Sequence, residues 1–240
     1  MRHNPRPMMF FRATACVVAA AVGFLPAPAN AAEVVVSGSV RLILDAHNRG
    51  VKAFIVGAGA VGSILGAHLI TGGLDVTYIA RGRRAAQLRE QGVRISGLKS
   101  LAAPARVVEN PREIDFADVL IIATKSYDCA AALDSVRHVR AGHVFGLQNG
   151  VYKDEQIAAV FGVEKTLGSI AAFGGELMAS GEVVWTVYEQ LSFGRIPSGT
   201  TPEIDAIAAA FNQAGFRTVA SREIQTEEWS KFVVFVALLP

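Results

Sequence analysis

A glycine-rich segment near position 60 has the residue types and spacing of a phosphate-binding turn. Six consecutive residues match the pattern G-x-G-x-x-G: Gly57, Ala58, Gly59, Ala60, Val61 and Gly62. In this pattern the first glycine permits a tight turn, the second lets the backbone approach a pyrophosphate, and the third allows a helix to pack closely on a strand. An apolar stretch precedes the pattern and an apolar-periodic stretch follows it. The sequence therefore predicts a dinucleotide site at a strand–turn–helix junction, and a glycine turn without a ligand is the alternative.

The residues after the predicted second strand indicate which dinucleotide is bound. Enzymes that use NAD usually have Asp or Glu at this position, where the carboxylate binds the ribose 2′-hydroxyl. Here the predicted strand 75–80 is followed by Arg81, with Arg83 and Arg84 close behind. A guanidinium pairs well with a phosphate dianion, so this segment favours NADP, with Arg81 as the best candidate. A solvated basic loop is the alternative interpretation.

The elements that must position this site extend from about residue 51 to residue 220. Short apolar stretches alternate with helical ones, which is typical of an α/β fold with a Rossmann-type, doubly wound and mostly parallel sheet. Residues 51–220 are therefore predicted to form an NADP-binding Rossmann domain. Two separate short strands are predicted at 182–186 and 190–193. An amphipathic helix is predicted from Glu223 onward.

The first fifty residues differ in character from the rest of the chain. Residues 1–32 have a basic start, an apolar run too short to cross a membrane, and a small-x-small site at positions 29–31, which is typical of a secretory signal. However, a Rossmann enzyme normally begins close to its first strand, and Val51, which a GUG start codon can encode, lies directly before that strand. The alternative hypothesis is that residues 1–50 are upstream sequence from a start assigned too early. Residues 33–50 are then linker or upstream sequence.

The composition excludes several classes of protein. Hydrophobic residues make up 51% of the 240 positions, and the net charge is +2. A sizeable core is therefore expected, and neither a general nucleic-acid binder nor a membrane-spanning protein is indicated. The two cysteines, Cys16 and Cys129, exclude a disulfide scaffold and fit a reducing compartment. The cysteines and histidines show no metal-ligand spacing.

Five segments of the chain resemble the ketopantoate reductase (2-dehydropantoate 2-reductase) family. They occur in the family's order: 54–63 (FIVGAGAVGS), 76–81 (VTYIAR), 123–127 (ATKSY), 147–150 (LQNG) and 228–231 (EWSK). The resemblance covers the chain from about residue 51 to its end. It implies an NADPH-binding domain followed by an all-helical substrate domain, of which residues 221–240 are the start. It also implies the reduction of ketopantoate to pantoate in the synthesis of pantothenate and coenzyme A.

The resemblance also implies roles for three side chains. Lys125 is expected near the cofactor, Asn149 at the nicotinamide and the substrate, and Lys231 as the general acid. The chemistry agrees, because hydride arriving at a ketone leaves an alkoxide that needs a proton and a nearby positive charge. Burial against Trp229 and Phe232 is expected to lower the pKa of Lys231. The alternatives are an exposed loop lysine, a simple Asn-Gly turn, and a surface ion pair between Lys231 and Glu227.

Two departures from the family affect the expected substrate and activity. The family often has asparagines four and eight residues after the catalytic lysine, where this chain has Phe235 and Leu239. A related reductase of a less polar 2-oxo acid is therefore an alternative. The sequence also stops about one helix into the substrate domain, which is expected to leave an apolar stripe exposed, made of Phe232, Phe235, Val236 and Leu239. We expect such a fragment to bind NADPH but to reduce ketopantoate weakly or not at all, and a catalytically impaired NADP-binding fragment is the third hypothesis.

The expected partners and location follow from this interpretation. The partner is a small-molecule 2-oxo acid, with no nucleic acid and no membrane, and a homodimer is left open. The expected location is the cytoplasm, where NADPH is found. Export is the alternative if the signal-like segment is real.

Overall fold

The computed structural model describes residues 50–238, apart from the side chains of Glu189 and Leu238. The signal-like segment predicted at residues 1–32, the following residues up to 49, and Leu239 lie outside the described residues. In chain order the described elements are β1 (Lys52–Val56), α1 (Ala60–Thr71), β2 (Asp75–Ile79), α2 (Gly82–Gln91), β3 (Val93–Gly97), β4 (Leu101–Ala103), β5 (Arg106–Val108), β6 (Phe116–Ile122), α3 (Cys129–Val136), β7 (Arg140–Gly146), α4 (Tyr152–Phe161), β8 (Leu167–Leu177), β9 (Val183–Arg195), α5 (Pro202–Gln213), β10 (Thr218–Ala220) and α6 (Ile224–Leu238).

A five-stranded parallel sheet has the order β5-β2-β1-β6-β7. The chain first moves outward from β1 through β2 to β5, and then returns to the other side of β1 to add β6 and β7. The order therefore reverses between β1 and β6, and ligands bind at such a reversal, outside the carboxyl ends of the strands. The predicted α/β, doubly wound parallel sheet is confirmed.

A second, mixed sheet contains the remaining strands. Its order is β10-β9-β3-β4, and β8 pairs antiparallel with β9. The two short strands predicted at 182–186 and 190–193 were wrong as separate elements, because the structure has one continuous strand from Val183 to Arg195. Pairing with β8 continues through register shifts at positions 172–173 and 174–175. The pairing of β9 with β8 therefore continues across the gap between the two predicted strands.

Helix α1 lies between the two sheets. It contacts β1 and β2 of the parallel sheet and β3, β4, β8 and β9 of the second sheet. Helices that are buried on every side are apolar on every side, and α1 is buried from Gly62 through Leu69. A Cβ on Gly66 would stand 2.1 Å from the hydroxyl oxygen of Tyr78, so this glycine is what allows the helix to lie so close to β2. Helix α1, which carries the end of the glycine loop, is therefore held firmly on both sides.

The opposite face of the parallel sheet is covered by α3 and α4. Their buried residues, including Cys129, Leu133 and Ile157, pack with apolar residues of β1, β6 and β7. Strands covered on both faces read as continuous apolar runs, as the 119–123 segment does. None of the helices within residues 50–238 is long and apolar enough to cross a membrane.

Helix α6 differs from its prediction. It was expected to be amphipathic, but of its described side chains only Ile224 and Glu228 are buried. Five of its apolar side chains are exposed by 37% to 62%: Phe232, Val233, Val234, Phe235 and Val236. Because these residues are consecutive, they surround the helix instead of forming one stripe. The expected exposure of Phe232, Phe235 and Val236 is confirmed.

Candidate cofactor and active site

The glycine loop turns tightly between β1 and α1. The backbone N–H of Gly57 donates to the carbonyl oxygen of Ile79 at 3.0 Å, and Gly57 has φ of +99°, a conformation that favours glycine. A Cβ on Gly62 would lie 2.4 Å from the carbonyl oxygen of Gly57. A Cβ on Gly59, in contrast, would meet no atom within 4 Å. Gly57 and Gly62 are therefore required by the fold itself, whereas Gly59 leaves open space beside the start of α1.

This open space belongs to a cavity of about 330 Å³ at the carboxyl ends of β1, β6 and β7. Its walls include the loop residues Gly57, Gly59, Ala60 and Val61, and also Thr124, Lys125, Gln148 and Asn149. The first N–H groups of a helix have no partner within the helix, and they face outward with a partial positive charge. The cavity thus has the fit expected for a dinucleotide: a cradle that a Cβ at Gly59 would fill, beside a helix N-terminus and a lysine.

The three arginines that follow β2 have different environments. Arg84 binds backbone and side-chain oxygens: its Nε donates to the carbonyl of Ala58 at 2.7 Å, and its two terminal nitrogens donate to Gly181 O and Ser63 Oγ. Arg83 donates to the carbonyl of Ala179 at 2.6 Å. Arg84 therefore braces the glycine loop against the turn between β8 and β9. Arg81, exposed at the N-cap of α2, borders the neighbouring cavity of about 470 Å³ that also contains Gly57 and Gly59.

Lys231 of α6 points back toward the parallel sheet. Its Nζ donates to the carbonyl oxygen of Ala171 in β8 at 2.9 Å and to Oδ1 of Asn149 at 3.3 Å. It also lies 5.3 Å from the centre of the Phe235 ring, which is within range of a cation–π contact. Lys231 is half-buried, and of the two rings expected to bury it, Trp229 is 49% exposed and packs edge-on against Phe232. The expected burial of Lys231 against these rings stays a prediction.

Asn149 connects the two parts of the site. It lines the cavity at the glycine loop, and it also lines both cavities that Lys231 borders, of about 270 Å³ and 820 Å³. Asn149 and Lys231, the two residues expected at the substrate, are thus in contact, and their roles stay predictions. Lys125, exposed directly after β6, lies on the wall of the glycine-loop cavity but is absent from the lining of the two Lys231 cavities.

A buried ionic cluster lies beneath Lys231, and the sequence analysis missed it. Lys153 Nζ lies 2.5 Å from Glu228 Oε1 and 3.2 Å from Asp154 Oδ1, and the three side chains are at most 10% exposed. Glu228 Oε1 also accepts the backbone N–H of Ser169 at 2.7 Å, and Lys153 donates to the carbonyl of Gly150 at 3.2 Å. These bonds join the start of α4, the start of β8 and the helix that carries Lys231.

Asp154 is the member of this cluster whose pKa is shifted. Burial raises its pKa to about 8, Lys153 opposes the shift, and the facing Glu228 carboxylate adds to it. The contact of its Oδ1 with Lys153 is within ion-pair distance, but its angle does not make a hydrogen bond. Burial and the facing Glu228 carboxylate therefore favour the protonated, neutral form of Asp154.

Two buried polar side chains at the cavity have no protein partner. Both amide atoms of Gln148 and the hydroxyl oxygen of Thr124 are buried, and each lacks a hydrogen bond from the described residues. Both residues line the glycine-loop cavity. Buried polar groups are normally paired, so these atoms are available to a ligand or water in that cavity. Thr124 belongs to the ATKSY segment and Gln148 to the LQNG segment, and this was the only sign in the sequence that they could line the site.

The comparisons with known proteins agree with this geometry. The profile of the family described as "Ketopantoate reductase PanE/ApbA" matches residues 53–198. The chain belongs to the ketopantoate reductase family. Similar proteins include a 2-dehydropantoate 2-reductase of Pyrococcus abyssi, 34% identical over 190 residues, and one of Archaeoglobus fulgidus, 33% identical over 186 residues. The crystal structure of a 2-dehydropantoate 2-reductase from Geobacter metallireducens is also similar, with 26% identity and a TM-score of 0.71.

The matches cover most of this chain but only part of its relatives. They cover 79% and 78% of this chain, against 62% and 61% of the Pyrococcus and Archaeoglobus proteins. For the Geobacter structure the shares are 77% and 62%. The chain thus spans about three fifths of the length of these relatives, and their activity comes to it only as a proposal.

Proposed function

We propose that this chain binds NADPH and forms the reducing site of a 2-dehydropantoate 2-reductase, which converts ketopantoate to pantoate in pantothenate and coenzyme A synthesis. The observation that carries the proposal is the position of Asn149. This residue lines the glycine-loop cavity and also accepts a hydrogen bond from Lys231 in the adjoining cavities. A dinucleotide site and a proton donor therefore share one wall. The names of the two curated relatives support the choice of substrate.

The residues of the cradle have distinct proposed roles. The backbone of the glycine loop and the start of α1 hold the pyrophosphate, and Arg81 holds the 2′-phosphate. Lys125, Thr124 and Gln148 line the part of the cavity nearest Asn149, where a nicotinamide amide would find the unpaired polar atoms. When bound, the reduced nicotinamide supplies a hydride to the keto carbon of the substrate.

Lys231 is the proposed general acid. The Lys231 ammonium lies beside Asn149 on the wall of the two adjoining cavities, where the keto group of a substrate would bind. There it stabilises the negative charge that develops on the substrate's keto oxygen and gives that oxygen a proton. Asn149 orients the ammonium through its carbonyl oxygen, which leaves its amide group to the substrate.

The substrate class has a second candidate. Phe235 lines both cavities beside Lys231, at a place where a polar side chain would suit the hydroxyl group of ketopantoate. An apolar wall favours a 2-oxo acid with an aliphatic or aromatic side chain. Comparing the reduction of ketopantoate with that of 2-oxoisovalerate and phenylpyruvate by the same preparation separates the two. The proposed activity implies a cytoplasmic location, because NADPH is a cytoplasmic cofactor.

The experiment that tests the proposal measures cofactor binding and chemistry separately. NADPH is titrated into the 240-residue protein by fluorescence, and pantoate formation from ketopantoate and NADPH is followed by mass spectrometry. We expect NADPH to bind, and Lys231→Ala to leave that binding unchanged while lowering pantoate formation by about 10²- to 10⁴-fold, the usual contribution of a general acid. The exposed Lys165→Ala serves as the matched control. Failure of the protein to bind NADPH, or equal product formation by Lys231→Ala, contradicts the proposal.

A further inference from the structure

The fold brings a carboxylate to the end of β2, although no acidic residue follows β2 in the chain. Strand β5 lies beside β2 in parallel register, with Val108 opposite Ile79. The pairing continues one step further, because the N–H of Ala80 donates to the carbonyl of Val108 at 3.2 Å. Glu109, the residue that follows β5, therefore stands beside the residues that follow β2.

The Glu109 carboxylate binds the start of α2. Its Oε2 accepts the backbone N–H of Gly82 at 3.3 Å. Its Oε1 pairs with the guanidinium of Arg89, which lies about two helical turns after Gly82 in α2. The hydrogen bonds from Arg89 and Gly82 lower the pKa of this carboxyl, so it carries a negative charge at neutral pH. An isolated surface ion pair contributes little to stability. Here, however, Arg89 holds the carboxylate against the backbone N–H of Gly82 at the start of α2, one residue after Arg81.

This position is the one that distinguishes the two nicotinamide dinucleotides. In a Rossmann fold the end of the second strand faces the adenosine ribose, where a carboxylate accepts the 2′-hydroxyl and an arginine accepts the 2′-phosphate. Arg81 borders the cavity beside the glycine loop, and Glu109, bonded to the N–H of the next residue, Gly82, brings a carboxylate to the same strand end. A carboxylate next to a phosphate dianion repels it, and it also occupies the Gly82 N–H that the phosphate would otherwise use.

We infer that Glu109 is a specificity-determining residue of the dinucleotide site, which weakens the binding of NADPH and supports the binding of NADH. The inference rests on the proposed dinucleotide site, and it concerns the cofactor that this site selects. Arg81 and Glu109 oppose each other, so the native protein binds both cofactors with less discrimination than Arg81 alone would give. Removing the negative charge of Glu109 shifts the preference toward NADPH.

The test compares the dissociation constants of NADPH and NADH for native protein, Glu109→Gln and Glu164→Gln, by fluorescence titration at low salt. Glu164 is the matched control, because it is an exposed carboxylate that pairs with an arginine as Glu109 does, but its partner Arg195 lies in β9 and not in α2. We expect Glu109→Gln to bind NADPH about tenfold more tightly, or about 1.4 kcal/mol, and NADH several-fold more weakly. The gain should shrink at high salt, since the two charges are exposed. Glu164→Gln should match the native protein.

The outcomes separate this inference from the proposed function. If the native protein binds a cofactor but the NADPH-to-NADH preference of Glu109→Gln stays within twofold of native, or moves toward NADH, the inference is wrong and the dinucleotide site stands. If no variant binds either cofactor, the proposed function and the inference are both wrong. Thermal unfolding of Glu109→Gln checks that this exposed position leaves the fold intact.

Discussion

The glycine-loop cavity and the Lys231 region lie side by side but are built in different ways. The first is made of backbone: consecutive residues turn between β1 and α1, and the ligand is offered N–H groups and open space. The second is made of side chains, because Glu228 and Lys231 of α6 meet Lys153 and Asn149, which lie 75 and 82 residues earlier in the chain. A backbone cradle tolerates side-chain changes that keep its shape, whereas a side-chain cluster fails when one member is removed. The predictions below test that difference, from the largest expected effect to the smallest.

The largest effect is expected for Glu228→Ala. The change leaves the buried Lys153 ammonium and the Ser169 N–H without their shared acceptor. Breaking a buried ion pair by removing one partner costs about 3–5 kcal/mol, because the remaining charge stays buried. The free energy of unfolding in urea measures the loss, with the exposed Glu155→Ala as a control that should change by less than about 0.5 kcal/mol. A loss below about 1 kcal/mol for Glu228→Ala would mean that Asp154 can replace Glu228.

The same difference explains what the sequence could and could not predict. The strand–turn–helix junction of β1 and α1 was predicted correctly, because a strand, a glycine turn and an apolar helix are contiguous and each has a local signature. The meeting of Lys231 and Asn149 followed only from the family resemblance. Nothing local marks Lys153 and Glu228 as partners, since their spacing of 75 residues has no periodicity. These contacts depend on how sheets and helices pack, which a residue pattern does not specify.

Glu109 shows the same limit inside the dinucleotide site. The residue that follows the predicted second strand in the chain is Arg81, not an acidic residue. The carboxylate arrives instead through the pairing of β5 with β2, from 28 positions beyond Arg81 in the sequence. Neighbouring strands in a parallel sheet are separated in the chain by whole crossover segments. The residues that follow one strand therefore do not reveal which residue the neighbouring strand brings beside them.

An intermediate effect is expected from the pH dependence of stability. The pKa of Asp154 is raised from about 3.8 in the unfolded chain to about 8 in the fold. Between these values the folded state holds a proton that the unfolded state has released, so this contribution to stability is fully present below the unfolded pKa and falls as the pH rises toward 8. The limiting slope is about 1.4 kcal/mol per pH unit.

This slope is measured by urea unfolding at pH 5, 6 and 7, in native protein and in Asp154→Asn. The asparagine cannot ionise, so the difference in unfolding free energy between the two proteins should change by about 2–3 kcal/mol from pH 5 to pH 7, in favour of the variant. Asp134→Asn is the matched control, because the Asp134 side chain is 75% exposed. A pH profile that Asp154→Asn leaves unchanged would show that Asp154 is ionised in the fold.

The smallest effect on stability, and the sharpest contrast, is expected from two glycines three positions apart. Gly62→Ala places a Cβ 2.4 Å from the Gly57 carbonyl, and such overpacking costs about 1–3 kcal/mol. Gly59→Ala meets no atom within 4 Å, and its φ of −70° suits alanine, so the unfolding free energy should change by less than about 1 kcal/mol. Affinity for NADPH should nevertheless fall at least about tenfold in Gly59→Ala, because its methyl group enters the space for the pyrophosphate. Urea unfolding and fluorescence titration of both variants separate the two roles.

If Gly59→Ala binds NADPH like the native protein, the open space beside α1 is not where the pyrophosphate lies. The pyrophosphate would then lie along another wall of the cavity.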